Sequence, residues 1–174
     1  MARHVSRFLH LICALLLGTG AASAQTPQQT TATYEDWIVR CETQPGPPPV
    51  RICEMVQYTQ MQGQAGVISQ IAIGRPVKGQ PIKMVFQVPL GVWLPAGAKL
   101  ATGGAQDAGL AAPFKRCVAA GCFADLEVRD DTIRKLRAMS EPGKLQFKDG
   151  ATKDVSLPVS FKGFGAAFDA LAKE

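Results

Sequence analysis

The heptapeptide IKMVFQV at residues 82–88 decides the fold class of this chain. Its even-numbered residues are Ile, Met, Phe and Val, whereas Lys83 and Gln87 point to the opposite side of an extended backbone. Alternation with a period of two is typical of an antiparallel strand that buries one face and exposes the other. The same pattern returns at residues 155–161, where Pro158 faces outward and indicates an edge strand.

Working outward from this strand, turn signals separate further short strands along most of the chain. They are predicted at residues 34–41, 50–60, 67–74, 99–102 and 122–128, and around residues 145–147. A further strand is predicted to end at Cys117. Apolar residues at helical spacing predict only two short helices, one containing Ile133 and Leu136 and one starting at Phe164 near the C-terminus. This pattern predicts an all-β domain, an antiparallel β-sandwich with two short helices, with a small closed barrel as the alternative. Residues 67–74 are apolar on both faces and are expected in the middle of a sheet.

The N-terminal residues 1–24 have the pattern of a secretory signal peptide. Arg3 and Arg7 precede an apolar run from Phe8 to Leu17, and the segment ends in Ala22-Ser23-Ala24. This order of charge, apolar run and small residues predicts cleavage before Gln25. A flexible polar leader is then expected at residues 25–33, followed by a single domain at residues 34–174. We also expect a mobile loop in the Gly- and Ala-rich segment that ends at Ala112.

Four cysteines remain after the predicted cleavage, and an even number in an exported chain indicates two disulfides. Of the three possible pairings, Cys41 with Cys53 and Cys117 with Cys122 are favoured, because each closes a short loop rich in Pro, Gly or Ala. Loop entropy assigns roughly 3 kcal/mol to the longer loop and about 2 kcal/mol to the shorter. A four-cysteine zinc site is the alternative, although only the second pair approaches ligand spacing. A redox-active second pair is a third reading, although thioredoxin-like motifs separate their cysteines by two residues.

Composition restricts the chemistry further. Both histidines, His4 and His10, lie inside the predicted signal, so the exported chain has no imidazole for a Ser-His-Asp triad, a Cys-His pair or a typical catalytic zinc site. The full chain carries a net charge of +5. Removing Arg3 and Arg7 leaves 17 basic residues against 14 acidic, a net charge of +3. The one basic cluster, at residues 134–137, suits a solvated helix C-terminus, so we expect no nucleic-acid partner.

Several short motifs, in order along the chain, resemble the invasion-associated locus B family of exported bacterial proteins. They are Tyr34-Glu35-Asp36-Trp37 ahead of Cys41, CEMVQ at 53–57, VPLGV at 88–92, LPAG at 94–97, Phe114 to Cys117 with Gly121-Cys122, and Gly163-Phe164 with Ala167 and Leu171. Residues Ala101-Thr102-Gly103 depart from the pattern, in which an apolar residue followed by an acidic one is expected. The resemblance implies an immunoglobulin-like sandwich, a periplasmic or surface-exposed location, an association in some pathogens with entry into host cells, and no known catalytic activity.

These observations favour a non-enzymatic binding or accessory module of the bacterial envelope, possessing no cofactor, no metal and no membrane span after processing. The partner is expected to be an envelope or host protein of unknown identity. The candidate binding surface is the turn-rich corner with Pro89, Leu90, Trp93 and Pro95, together with the loop at 103–112, although Trp93 is also compatible with a place in the core. Two alternatives stay open: a disulfide redox protein, and a hydrolase of envelope glycans that uses two carboxylates. The carboxylates available for such an enzyme are Asp36, Glu42, Glu54, Asp125 and Glu127.

Overall fold

The computed structural model describes residues 29–60, 63, 66–77, 79–103 and 108–174. The predicted signal peptide at residues 1–24 lies outside the described residues, as do residues 25–28 of the expected leader. Two antiparallel sheets and two short helices make up the domain.

The larger sheet has seven strands in the spatial order β1-β2-β3-β4-β5-β9-β8. Its first five strands follow one another as a meander, and the β8–β9 hairpin adds the last two. The strands are β1 (Gln29–Tyr34), β2 (Trp37–Gln44), β3 (Val50–Thr59), β4 (Ser69–Gly74), β5 (Lys83–Val88), β8 (Phe114–Val118) and β9 (Gly121–Glu127).

The smaller sheet has four strands in the order β11-β10-β6-β7. These are β6 (Ala98–Ala101), β7 (Leu110–Ala112), β10 (Gly143–Lys148) and β11 (Asp154–Val159). The helices are α1 (Asp130–Arg137) and α2 (Phe164–Leu171), of eight residues each. Within the described part of the chain, neither helix is long and apolar enough to cross a membrane. The predicted antiparallel sandwich with two short helices is confirmed.

The core lies between the sheets and follows the alternation of the sequence. In β5, Met84, Phe86 and Val88 are at most 1% exposed, and Ile82 just ahead of the strand is also buried. Strand β4 is central in its sheet, and Ile71 to Ile73 are buried on both faces as predicted. Pro158 lies in β11, which is an edge strand, again as predicted.

Two segments that we expected to be flexible form edge strands instead. Gln29–Tyr34 pairs with β2 through six residue pairs, because a Thr-rich segment fits the free side of that strand even with little to bury. Leu110–Ala112 pairs with β6, and the burial of Ala112 against the core fixes its position. The expectations of a flexible leader through Thr33 and a mobile loop through Ala112 were therefore wrong for these residues. Residues 104–107 of that loop lie outside the described part.

A hydrogen-bonded clip joins the larger sheet to the segment between β11 and α2. The backbone carbonyl of Ser160 accepts hydrogen bonds from Trp37 Nε1 at 3.0 Å and from Gln57 Nε2 at 2.9 Å. The Ser160 N–H donates to Gln57 Oε1 at 2.9 Å, so the amide of Gln57 acts as both donor and acceptor. Phe164 of α2 meets the Trp37 ring edge-on at 5.2 Å. The clip and this ring contact together hold α2 over the open side of the core.

Gln57→Leu is expected to lower the free energy of unfolding by about 1–3 kcal/mol, since it removes both hydrogen bonds to Ser160 and a longer one to the Asp36 carbonyl, and leaves the Ser160 N–H without its acceptor. Chemical denaturation measures this change. Gln70→Leu is the matched control, because Gln70 lies on the neighbouring strand and makes no side-chain hydrogen bond in the described part of the chain. Equal effects of the two substitutions would contradict the role of the clip.

The two helices are joined by a bidentate ion pair. Arg137 Nη1 donates to Asp169 Oδ1 at 2.6 Å, and Arg137 Nη2 donates to Asp169 Oδ2 at 2.9 Å. These hydrogen bonds hold the pKa of Asp169 below its ordinary value and raise the pKa of Arg137. The predicted basic cluster thus lies in the last turn of α1, and Arg137 is used to hold α2.

This ion pair makes part of the stability depend on pH. Because the pKa of Asp169 is lower in the folded chain, its contribution is present above the unfolded value of roughly 3.9 and is lost as pH falls through the folded value. We expect Asp169→Asn to lower Tm slightly near neutral pH, since both groups are exposed, and to match the wild type once the pH is below the folded pKa of Asp169. Thermal melts across this pH range measure the difference. A constant gap at every pH would show that the substitution acts through packing alone.

Candidate binding surface

The predicted corner connects the two sheets and exposes apolar side chains. We call residues 89–96, with the sequence PLGVWLPA, the apolar corner; it leads from β5 in the larger sheet to β6 in the smaller. No residue in it carries a charge. Leu90 is 56% exposed, Trp93 46% and Leu94 51%. The nominated residues Pro89 and Pro95 are also exposed, so all four predicted surface residues lie together. Leu94 was not singled out from the sequence, although it belongs to the same uncharged run.

Backbone contacts hold the apolar corner in place. Val92 forms a bridge with Asp149, and the Trp93 N–H donates to the Lys148 carbonyl at 2.9 Å. A short 3₁₀ turn, Leu94–Ala96, ends at Gly97, which has a φ of 66°. A Cβ at Gly97 would lie 2.6 Å from the Ala112 carbonyl oxygen, so glycine is required there. The exposed side chains therefore project from a fixed backbone, and the contacts that fix it are made by backbone atoms.

The tip of the β8–β9 hairpin lies beside the start of the apolar corner. Gln87 Nε2 donates to the Ala120 carbonyl at 2.7 Å, and Gly121 packs so closely that a Cβ there would lie 2.4 Å from the Val88 carbonyl oxygen. Val118 at this tip is 48% exposed. We call the apolar corner and residues 118–121 together the apolar end. It contains four of the seven large hydrophobic residues that are exposed among the described residues, namely Leu90, Trp93, Leu94 and Val118.

The outer face of the larger sheet is polar by contrast. Arg40 donates to Glu54 Oε1 through Nε at 2.7 Å and also through Nη2, and its Nη1 donates to the Tyr58 hydroxyl at 2.6 Å. Glu54, Val56 and Tyr58 lie on the same face of β3. Because the guanidinium of Arg40 bonds to Glu54 and Tyr58, it lies over Val56 between them, and Val56 is fully buried. Burial lowers the pKa of Arg40, but the hydrogen bond and charge of Glu54 outweigh it and raise that pKa.

The five carboxylates proposed for a hydrolase are spread over several places. Glu54 is engaged by Arg40, and Asp125 lies 3.7 Å from Lys83. Glu54 and Glu127 lie in the same row of the sheet but are separated by β4 and β5, a spacing of roughly 14 Å, which exceeds the range used by glycosidases. Asp36 is exposed in the turn between β1 and β2. Glu42 is exposed on the rim of a shallow trough of about 620 Å³ that also contains Glu54.

The cysteines form the two favoured pairs, Cys41–Cys53 and Cys117–Cys122. Each pair joins residues directly opposite each other in an antiparallel hairpin. The carboxylate of Glu174 lies near the first pair, but sulfur atoms bonded to each other are not the thiolates that bind metals. In the second pair, Cys117 is exposed and Cys122 is buried, at the base of the apolar end. The disulfide prediction is confirmed.

The two tryptophans are expected to respond very differently to truncation. Trp37→Ala should cost about 3–5 kcal/mol of unfolding free energy, because Trp37 is 1% exposed and bonded to Ser160. Trp93→Ala should cost less than about 1 kcal/mol, because Trp93 is half exposed. Denaturant titrations of both variants measure this. A cost at Trp93 close to that at Trp37 would place Trp93 in the core and remove the candidate surface.

Comparison with known proteins gives one consistent family. The family model described as Invasion associated locus B (IalB) protein matches residues 37–172, from the tryptophan of the clip to the end of α2. Two invasion protein B homologues of Brucella abortus, from strain 2308 and from biovar 1 strain 9-941, are each 30% identical over 137 residues. Each alignment covers 79% of this chain and 76% of the relative.

A solved structure has the same fold. The crystal structure of invasion associated protein B from Bartonella henselae superposes with a TM-score of 0.69 at 22% sequence identity. The match covers 83% of this chain and 95% of that one. Strand β1 lies ahead of the residues that the family model matches, whereas the apolar corner lies within them.

Proposed function

This chain belongs to the invasion associated locus B family, and we propose that it is a non-enzymatic, exported envelope protein that binds another protein through its apolar end. The proposed location is the periplasm or the cell surface. Two disulfides support export, because such bonds persist in oxidising compartments. The partner is an envelope or host protein, and a contribution to host-cell entry, suggested by the names of the Brucella and Bartonella relatives, is part of the proposal.

The observation that carries the proposal is the exposure of Leu90, Trp93 and Leu94 on a rigid, uncharged corner. Aromatic and large aliphatic side chains that protrude together are typical of the centres of protein interfaces, where tryptophan is over-represented among residues that dominate binding. Because the corner backbone is already hydrogen-bonded within the chain, binding there costs little ordering.

The pairing of carboxylates with cations also favours a binding role over catalysis. The carboxylate of Glu54 is engaged by an arginine within its own sheet, and Asp125 lies close to a lysine. These ion pairs link neighbouring strands, and the two carboxylates are therefore less available to transfer a proton to a substrate. Among the described residues, most of the large hydrophobic side chains that are exposed lie at the apolar end.

Photo-crosslinking in living cells tests the proposed surface. A benzophenone amino acid at position 93 should capture a discrete partner protein, whereas the same probe at Val77 should not. Val77 is a matched control because it is 53% exposed, yet it lies in the connection at the opposite end of β5, roughly 17–20 Å away. Leu90→Ser should reduce capture from position 93 while Tm stays unchanged. Equal capture at both positions, or none at position 93, would contradict the proposal.

A further inference from the structure

The two sheets expose four edge strands within the described residues: β1 and β8 in the larger sheet, and β7 and β11 in the smaller. An edge strand presents unpaired backbone N–H and C=O groups that can pair with another strand. Proteins usually protect such edges with charge, proline, bulges or short length. The four edges of this domain differ sharply in this respect.

Three of the edges carry such protection. Strand β8 has Lys115 and Arg116 and an irregular register between Phe114 and Arg116. Strand β11 carries Pro158, which has no N–H to donate. Strand β7 is only three residues long.

Strand β1 has none of these features. Its sequence, QTTATY, is six residues long and contains no charge, proline or glycine. It pairs with β2 along its whole length on one side, and Thr31 to Thr33 are exposed. Three of its six residues are threonine, whose branched side chain favours a strand. It is therefore an extended, neutral edge that is ready to accept a further strand.

We propose that β1 pairs with β1 of a second copy of this chain, which joins two seven-stranded sheets into one. A twofold axis requires the two strands to run antiparallel, and it produces a closed dimer with the same surface buried on both copies. The absence of charge in β1 means that self-pairing opposes no like charges, although the chain as a whole is basic.

The sequence of β1 also fits itself in this orientation. With the axis at Ala32, which then lies opposite its own copy, Thr31 lies opposite Thr33 and Thr30 lies opposite Tyr34. Threonine pairs directly across an antiparallel ladder are favourable. The apolar end lies at the far end of β5, which three strands separate from β1, so it remains free in such a dimer. The dimer is therefore independent of the proposed partner binding.

Sedimentation velocity of the exported chain, from micromolar to sub-millimolar concentration, tests this pairing. The wild type should form a dimer, and Thr31→Lys should raise the dimer dissociation constant at least about tenfold, because two ammonium groups would meet beside the axis. Ser156→Lys is the matched control, since Ser156 is exposed on the β11 edge, and it should leave the dimer intact. Thr33→Lys is a second variant, which should also weaken the dimer if Thr31→Lys fails to fold.

Hydrogen exchange gives a second measurement on the wild type. Amides of β1 should become more protected as concentration rises, whereas amides of β11 should not. A wild type that stays monomeric at every concentration would overturn the proposal. A dimer that persists in both threonine variants would place the interface elsewhere and would overturn it as well.

Discussion

The hydrogen bonds of Trp37 and Gln57 to Ser160 are the constraint on which the rest of the structure depends. They join residues separated by more than a hundred positions and hold the larger sheet to the segment that follows β11. Without this connection, α2 would not be seated against Trp37 and the core would be open to water on that side. A nearly buried amide that satisfies both an N–H and a C=O also fixes one arrangement of the two layers, which apolar contacts alone do not specify.

Around this closed core, the end of β5 and the outer face of the larger sheet have very different surfaces. At one end, the connection to β6 crosses between the sheets, and its backbone is bonded to the β10–β11 turn, so its large side chains project outward. On the outer face of the larger sheet, Arg40, Glu54 and Tyr58 bond to one another over Val56. Arg40, Glu54 and Tyr58 therefore satisfy one another on the polar face, whereas the large side chains of the apolar end stay about half exposed to water.

Local sequence pattern predicted the strands that bury a face, because alternation in β5 and β11 records burial directly. It failed for β1 and β7, since an edge strand with little burial depends on the neighbour that offers its free side. The sequence marks Gln57 only as part of a family motif, because its partner lies 103 residues away and no local signal identifies it. The sequence is compatible with Trp93 in the core or on the surface. Its place is set by the crossover between the sheets, which the sequence around it does not encode.

The motifs that resemble the invasion-associated locus B family fall into two physical groups. Trp37, the cysteines and Gly97 have clear reasons in the fold: hydrogen bonding, covalent linkage and a close approach of backbone. Leu90 and Leu94 belong to the same motifs, yet more than half of each side chain is in water. Placing such leucines on the surface adds little to folding and raises the risk of aggregation. The proposed contact with another molecule would account for leucines at these exposed positions, and the fixed backbone beneath them supplies the rigidity that such contact needs.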